Sequence, residues 1–190
     1  MKILLYSCVS GEYDNKIPDR LYVKPCDRFN THRMNAKFPK ILPHKIKELE
    51  NADYTIWADS NLVFKIDPLT LVKYFDYPKV GIFSHIRSNI NEEIDTCKIF
   101  KLDSPDRLDY HKNKNGKLAC CFLIIRKNCE ETNLLNERWW AEICAGSSRD
   151  QVSFPYTLGQ IATYKDLPSA NFECNNMWTR LGHKKKIKNY

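Results

Sequence analysis

The sequence predicts an α/β fold, a central and mostly parallel sheet flanked by helices. Short apolar runs alternate with helical patterns from one end of the chain to the other. One of these runs, Leu118 to Ile125, is unbroken over its whole length, as expected of a central strand covered on both faces. Polar residues cluster just after several of the runs, and ligands of such sheets sit beyond the carboxyl ends of the strands. At 190 residues and 43% hydrophobic, the chain can build one sizeable core, and no Pro/Gly/Ser-rich linker divides it. One domain over residues 1–190 is therefore expected, ending in a basic segment, 181–190.

The first strand is read at Lys2 to Val9, where Ile3, Leu4, Leu5, Tyr6 and Val9 form an apolar run that stops at Ser10-Gly11. Asp53 to Trp57 is a second strand. Asp67-Pro68 reads as a helix start, with Asp67 as N-cap and Pro68 at the first helical position. Val80 to Ser84 gives a third strand and Asn91 to Leu102 a polar helix. Glu130 to Ala145 is the strongest helix: acidic residues lead it, Leu135, Trp139 and Ile143 recur at four-residue spacing, and Gly146 ends it. That spacing assigns Trp139 and Trp140 to core packing rather than to sugar stacking. Asp150 to Leu158 is a further helical segment that Pro155 should bend or shorten.

The eight cysteines show no C-x-x-C pair, so they read mostly as small buried hydrophobes in a reducing compartment, with adjacent Cys120 and Cys121 on opposite faces. No run approaches the roughly 18 apolar residues of a membrane span, and Met1 to Asp14 carries no small-residue cleavage pattern, so a cytoplasmic location is expected. No oligomeric state follows from the sequence. Dinucleotide, P-loop and zincin motifs are absent. The net charge of +7 is concentrated in Lys112, Lys114 and Lys117 and in Lys184, Lys185, Lys186 and Lys188, a distribution that suits a polyanionic partner as well as a solvated tail.

Chemistry is most legible at Thr55-Ile56-Trp57-Ala58-Asp59-Ser60-Asn61-Leu62, where a single acid ends an apolar, β-prone run. A carboxylate there is costly to desolvate unless it meets a cation or strong donors, although an Asx turn with Asn61 would also account for it. Asp150, behind Gly146-Ser147-Ser148-Arg149, is placed either to cap a helix or to act as a general base at its N-terminus.

Several segments together carry a resemblance. Asn35-Ala36-Lys37, Pro43-His44-Lys45, Tyr54 to Asn61, Asp67-Pro68, His85, Ala119 to Arg126, Trp139 to Ile143 and Gly146 to Phe154 resemble, in the same order, a glycosyltransferase-like family first grouped as a domain of unknown function in plants and bacteria. The resemblance covers roughly residues 1–160. It implies a Rossmann-like glycosyltransferase-A domain and a nucleotide-sugar donor, most simply a UDP-sugar. A weaker likeness joins Leu181-Gly182-His183-Lys184 to the late Gly/His/Lys element of glycogenin-like retaining galactosyltransferases, where a His joins the metal and a Lys meets the diphosphate.

On these likenesses, Ser10, Gly11, Tyr13, Asp14, Lys37, Asp59, Ser60 and Lys184 are expected to bind the donor. Asp59, Asn61 and His183 are expected to hold a divalent ion, manganese or magnesium, and Asp150, His85 and Arg149 to serve catalysis. Asn61 stands where the D-x-D motif of metal-dependent transferases has its second carboxylate, so metal affinity should be weaker than usual or metal optional. The acceptor expected from the charge is polyanionic: a glycan, or DNA bearing a hydroxylated base. Two other readings stay open, a non-catalytic nucleic-acid-binding module and a degenerate transferase. The co-location of Asp59, Asp150 and His85 in one pocket would separate an enzyme from the binding module, and donor hydrolysis with and without manganese would bear on the degenerate reading.

Overall fold

A computed structural model describes residues 1–11, 14, 16–87, 89–168 and 173–183. Its main sheet has six strands in the order β2-β1-β3-β6-β5-β7, built from β1 (Ile3–Ser7), β2 (Leu21–Tyr22), β3 (Tyr54–Ala58), β5 (Val80–Ser84), β6 (Ala119–Lys127) and β7 (Ala162–Lys165). Five strands run the same way. Only β6 is antiparallel, to β3 on one side and β5 on the other. The expectation of a mostly parallel sheet holds, and the exception is physical: an unbroken apolar run reports burial on both faces, which β6 has, and carries no information about direction. The architecture is that of a glycosyltransferase-A-like α/β domain.

Side-chain alternation divides the core between the two faces of the sheet. Tyr6, Trp57 and Cys121 face α1 (His32–Ile41) and α5 (Glu130–Ala145), whose Leu135, Trp139 and Ile143 close that layer. Leu5, Ile56 and Ile125 face α2 (Pro68–Tyr74) and a two-stranded antiparallel ribbon, β4 (Leu62–Phe64) with β8 (Trp178–Arg180). Cys120 and Cys121 take opposite faces, as alternation requires. All eight cysteines are free thiols; four are buried, while Cys144 and Cys174 are exposed, so the buried reading applies to half of them. Trp139 stacks on Phe154 with ring centroids 3.9 Å apart, whereas Trp140 is half-buried against the edges of Phe29 and Phe38.

The local signals behave as their chemistry dictates. Asp67 caps α2 by accepting from the Thr70 amide at 3.0 Å, with Pro68 in the first turn. The expected polar helix is α3 (Ile90–Ile99), capped by Asn89. A short α4 (Pro105–Asp109) follows it, a helix that no sequence signal had marked. Pro155 stops α6 (Asp150–Ser153) after one turn and opens a 3₁₀ turn, Pro155–Thr157. No helix among the described residues is long and apolar enough to cross a membrane.

Gly146 ends α5, but not as a left-handed cap, since its φ is −124°. It is needed there for lack of room: a Cβ would run into the His111 ring and Tyr110. Gly146→Ala should therefore destabilise the fold by about 1–3 kcal/mol through overpacking, lowering Tm by roughly 3–10 °C. Thermal denaturation checks this, and an unchanged Tm would mean that the ring moves aside freely.

Candidate functional site

A cavity of about 780 Å³ opens beyond the carboxyl ends of β1 and β3, where α/β sheets bind ligands. Its walls come from four places: the turn after β1 (Cys8 to Gly11, with Asp14), one stripe of α1, the Trp57-to-Ser60 segment, and the Ser148-to-Gln151 turn that begins α6, with Arg180 and His183 at the rim. Gly11 has φ +68°, a conformation that glycine adopts without steric cost, and the backbone turns there beside His32. His32 in turn is bonded to Ser10 Oγ at 3.1 Å.

The floor of the cavity is a charge cluster, buried at Lys40 and Asp150 and partly open at Lys37 and Asp59. Lys40 Nζ donates to Asp150 Oδ2 at 2.6 Å and lies 3.5 Å from Asp59 Oδ1, while Lys37 Nζ donates to Asp150 Oδ1. Asp59 Oδ1 also accepts from Trp57 Nε1 at 3.1 Å. Burial alone would raise the Asp150 carboxyl, but the Lys37 and Lys40 ammonium groups outweigh it and hold the acid well below the usual carboxylate range. Burial likewise opposes the charge on Lys40, yet Asp150 and Asp59 hold its pKa above the ordinary lysine value. Lys37 has only Asp150 to itself, with Lys40 beside it, and burial lowers it to about 8.

Local structure explains how these charges are aimed. Thr31 caps α1 through the Met34 amide at 3.2 Å, and Arg33, Lys37 and Lys40 recur at helical spacing on one face. Pro39 lies inside α1, so the Asn35 carbonyl loses its helical partner; it accepts the Cys26 amide at 3.1 Å instead. Fully buried Arg126 on β6 donates to the Lys40 carbonyl at 2.6 Å and the Ile41 carbonyl at 3.2 Å, pinning the helix end that carries Lys40. Arg20 holds the other acid's backbone: it donates to the Asp59 carbonyl at 3.2 Å and to the Leu62 carbonyl.

A polar network fixes the turn carrying Arg149 and Asp150. Asp103 Oδ2 accepts from Ser147 Oγ at 2.9 Å and the Ser148 amide at 3.0 Å. Buried His111 accepts the Ser147 amide at Nε2, 2.9 Å, so its Nδ1 carries the proton and donates to Tyr156 Oη, also 2.9 Å away. Tyr156 then donates to Glu142, as does Lys114 at 2.8 Å. Burial, with Lys114 nearby, lowers His111 to about 4.

Of the residues expected to act, Ser10, Gly11, Asp14, Lys37, Asp59, Ser60, Arg149, Asp150 and His183 all line this cavity. Tyr13 and Lys184 lie outside the described residues. His85 is not brought in: it follows β5, and β6 stands between β5 and β3. Its ring accepts the Arg87 amide at 3.1 Å, and burial lowers its pKa. The expectation of a general base at Asp150 meets a carboxylate gripped by two ammonium groups, which opposes proton acceptance. Lys114, expected to attract polyanions, is instead held by Glu142 and lies over the Tyr110 and Tyr156 rings. His32, Arg33, Lys40, Gln151 and Arg180 were not anticipated; the Thr31 cap and the spacing of Arg33, Lys37 and Lys40 were the signals available for α1.

The donor set expected for a divalent ion does not fit one. Asn61 is buried and is not part of the cavity lining: its Nδ2 donates to the Leu181 carbonyl at 3.0 Å, and its Oδ1, without a partner among the described residues, is shut off from the cavity. His183 Nδ1 pairs with Asp14 Oδ1 at 2.9 Å, and Asp14 also accepts from Ser60. Among the described residues no group of three or more His, Cys, Asp or Glu is placed to hold a metal.

A family model described as TOD1/MUCI70, glycosyltransferase-like domain, matches residues 21–183. A probable hexosyltransferase MUCI70 from Arabidopsis thaliana is 27% identical over 154 residues, which cover 70% of this chain and 26% of that protein. The chain thus spans about a quarter of that relative's length. Among solved structures, the crystal structure of A197 from STIV aligns over 73% of this chain and 68% of that one at 12% identity, with a TM-score of 0.37.

The His111 network generates a pH prediction. With its folded pKa near 4 and an ordinary value near 6.5, the fold holds the neutral ring, so this contribution is fully present above pH 6.5. It is lost as pH falls from there towards 4, on the order of 3 kcal/mol in all. Titration of the His111 ring followed by NMR should give a midpoint near 4; a midpoint at the ordinary value would contradict the network.

Proposed function

The chain belongs to the TOD1/MUCI70 glycosyltransferase-like family, and from that membership and the cavity we propose that it transfers a hexosyl group from a nucleoside-diphosphate sugar, a UDP-sugar by preference, to a glycan hydroxyl. The observation that carries this reading is the charge of the cavity. Arg33, Lys37, Lys40, Arg149 and Arg180 line it together with three acids, Asp14, Asp59 and Asp150. An excess of cations in a concave site asks for an anionic ligand. A diphosphate supplies one.

Transfer puts growing negative charge on the departing diphosphate, so preorganised cations are the groups best able to lower the barrier. In this reading Lys37, Lys40 and Arg149 stabilise the leaving group, and the turn after β1, with Asp14 and Ser60, receives the nucleoside. Asp150 keeps the two ammonium groups in place and is a positioning residue. The glycan is preferred to DNA as acceptor because Lys114, one of the cations on which a nucleic-acid partner rested, is already engaged. The name of the matched relative, a probable hexosyltransferase, supports a hexose as the transferred sugar.

A panel of UDP-hexoses, followed by UDP release with and without glycan acceptors, tests the activity; no release from any nucleoside-diphosphate sugar would refute it. Asp150→Asn should lower turnover on the order of 10²-fold or more and weaken UDP binding with it, because both lysines lose their anchor. Were UDP affinity untouched while turnover fell, Asp150 would be the proton acceptor instead.

A further inference from the structure

Asp59, at the end of β3, is the one acid in its segment, and the cation beside it belongs to the protein. Lys40 Nζ stands 3.5 Å from Asp59 Oδ1 and 2.6 Å from Asp150 Oδ2, with its side chain 7% exposed, and lies 5.2 Å from the centre of the Trp57 ring. Of the two other groups expected to complete a divalent site, Asn61 lies outside the cavity lining with its amide nitrogen on the Leu181 carbonyl, and His183 is paired through Nδ1 with Asp14. A divalent ion against Asp59 would therefore meet an ammonium at close range and only one carboxylate of its own.

We propose that Lys40, with Lys37 beside it, takes the place of a divalent ion in this site, so that the chain binds the diphosphate of its donor without metal. The inference rests on the transferase reading and deepens it. Three features suit Lys40 to the task. It is held from both sides by acids, so its ammonium is fixed before ligand arrives and needs no reorganisation. Its backbone is fixed as well, by the Arg126 guanidinium on the Lys40 carbonyl. Lys37 is the more accessible of the pair at 14% exposure, and lies within reach of the cavity mouth to meet a second phosphate oxygen. The turn carrying Arg149 adds a further cation to the lining.

The test is calorimetric titration of the full chain with UDP in excess EDTA and in excess manganese, alongside electron paramagnetic resonance of manganese added to the protein alone. The proposal expects the two UDP affinities to agree within about threefold, no manganese bound by the protein alone, and Lys40→Met to weaken UDP binding in EDTA by roughly tenfold or more. UDP binding that appears only with manganese would overturn the role of Lys40 and leave the nucleotide site intact. Binding in neither condition would overturn the nucleotide site as well. The wild-type titrations decide the matter even where Lys40→Met fails to fold.

Discussion

Two ammonium groups and two carboxylates share the floor of one cavity, and much of the chain is arranged around the cost of putting them there. Desolvating the buried pair, Lys40 and Asp150, is expensive, and mutual attraction repays it only when the geometry is fixed and the remaining hydrogen bonds are met. The structure meets that condition from several directions. Arg126 pins the end of α1, Arg20 holds the Asp59 backbone, and Asp103 and His111 hold the turn before Asp150. None of these four residues lines the cavity; they act on the backbone of those that do or of the adjacent Ser147. A buried cluster of this kind is weak evidence for stability but is well suited to a site that must present charge to a ligand.

The arrangement also accounts for the position of the cavity. β1 and β3 are adjacent and parallel, so their carboxyl ends open on the same side. Ser7 Oγ donates to the Ala58 carbonyl at 2.6 Å and locks the two ends together, which brings the Ser10-Gly11 turn beside Asp59. The stripe of α1 completes the wall and meets the start of α6 through Lys37, Lys40 and Asp150. The cavity thus presents cations from two separate elements, α1 and the turn that begins α6, and a turn whose glycine allows close backbone approach.

The strands were legible in the sequence because their apolar runs are short and cleanly bounded: Ile3–Ser7, Tyr54–Ala58 and Val80–Ser84 fall where those runs fall. The helix that matters most, α1, was not. Met34, Phe38 and Ile41 do recur at helical spacing, but Pro39 falls among them, and a proline inside a segment argues against a helix. Lys40 could not be matched with Asp150 from spacing, since 110 residues separate them. His85 illustrates the opposite limit: it does follow a strand, but strand order decides which strand ends share a cavity, and β6 intervenes. Asp59, Lys37 and Arg149, expected from the resemblance to bind the donor or serve catalysis, do line the cavity, whereas Asn61, expected beside Asp59 on a metal, turns towards the β4–β8 ribbon.

The measurement that tests the central claim most directly is a crystal structure of the full chain grown with UDP and without added metal. The account predicts the diphosphate in the cavity beyond β1 and β3, its oxygens within hydrogen-bonding distance of Lys37, Lys40 or Arg149. A nucleotide bound elsewhere on the chain, or a diphosphate in this cavity that reaches none of those three side chains, would contradict it.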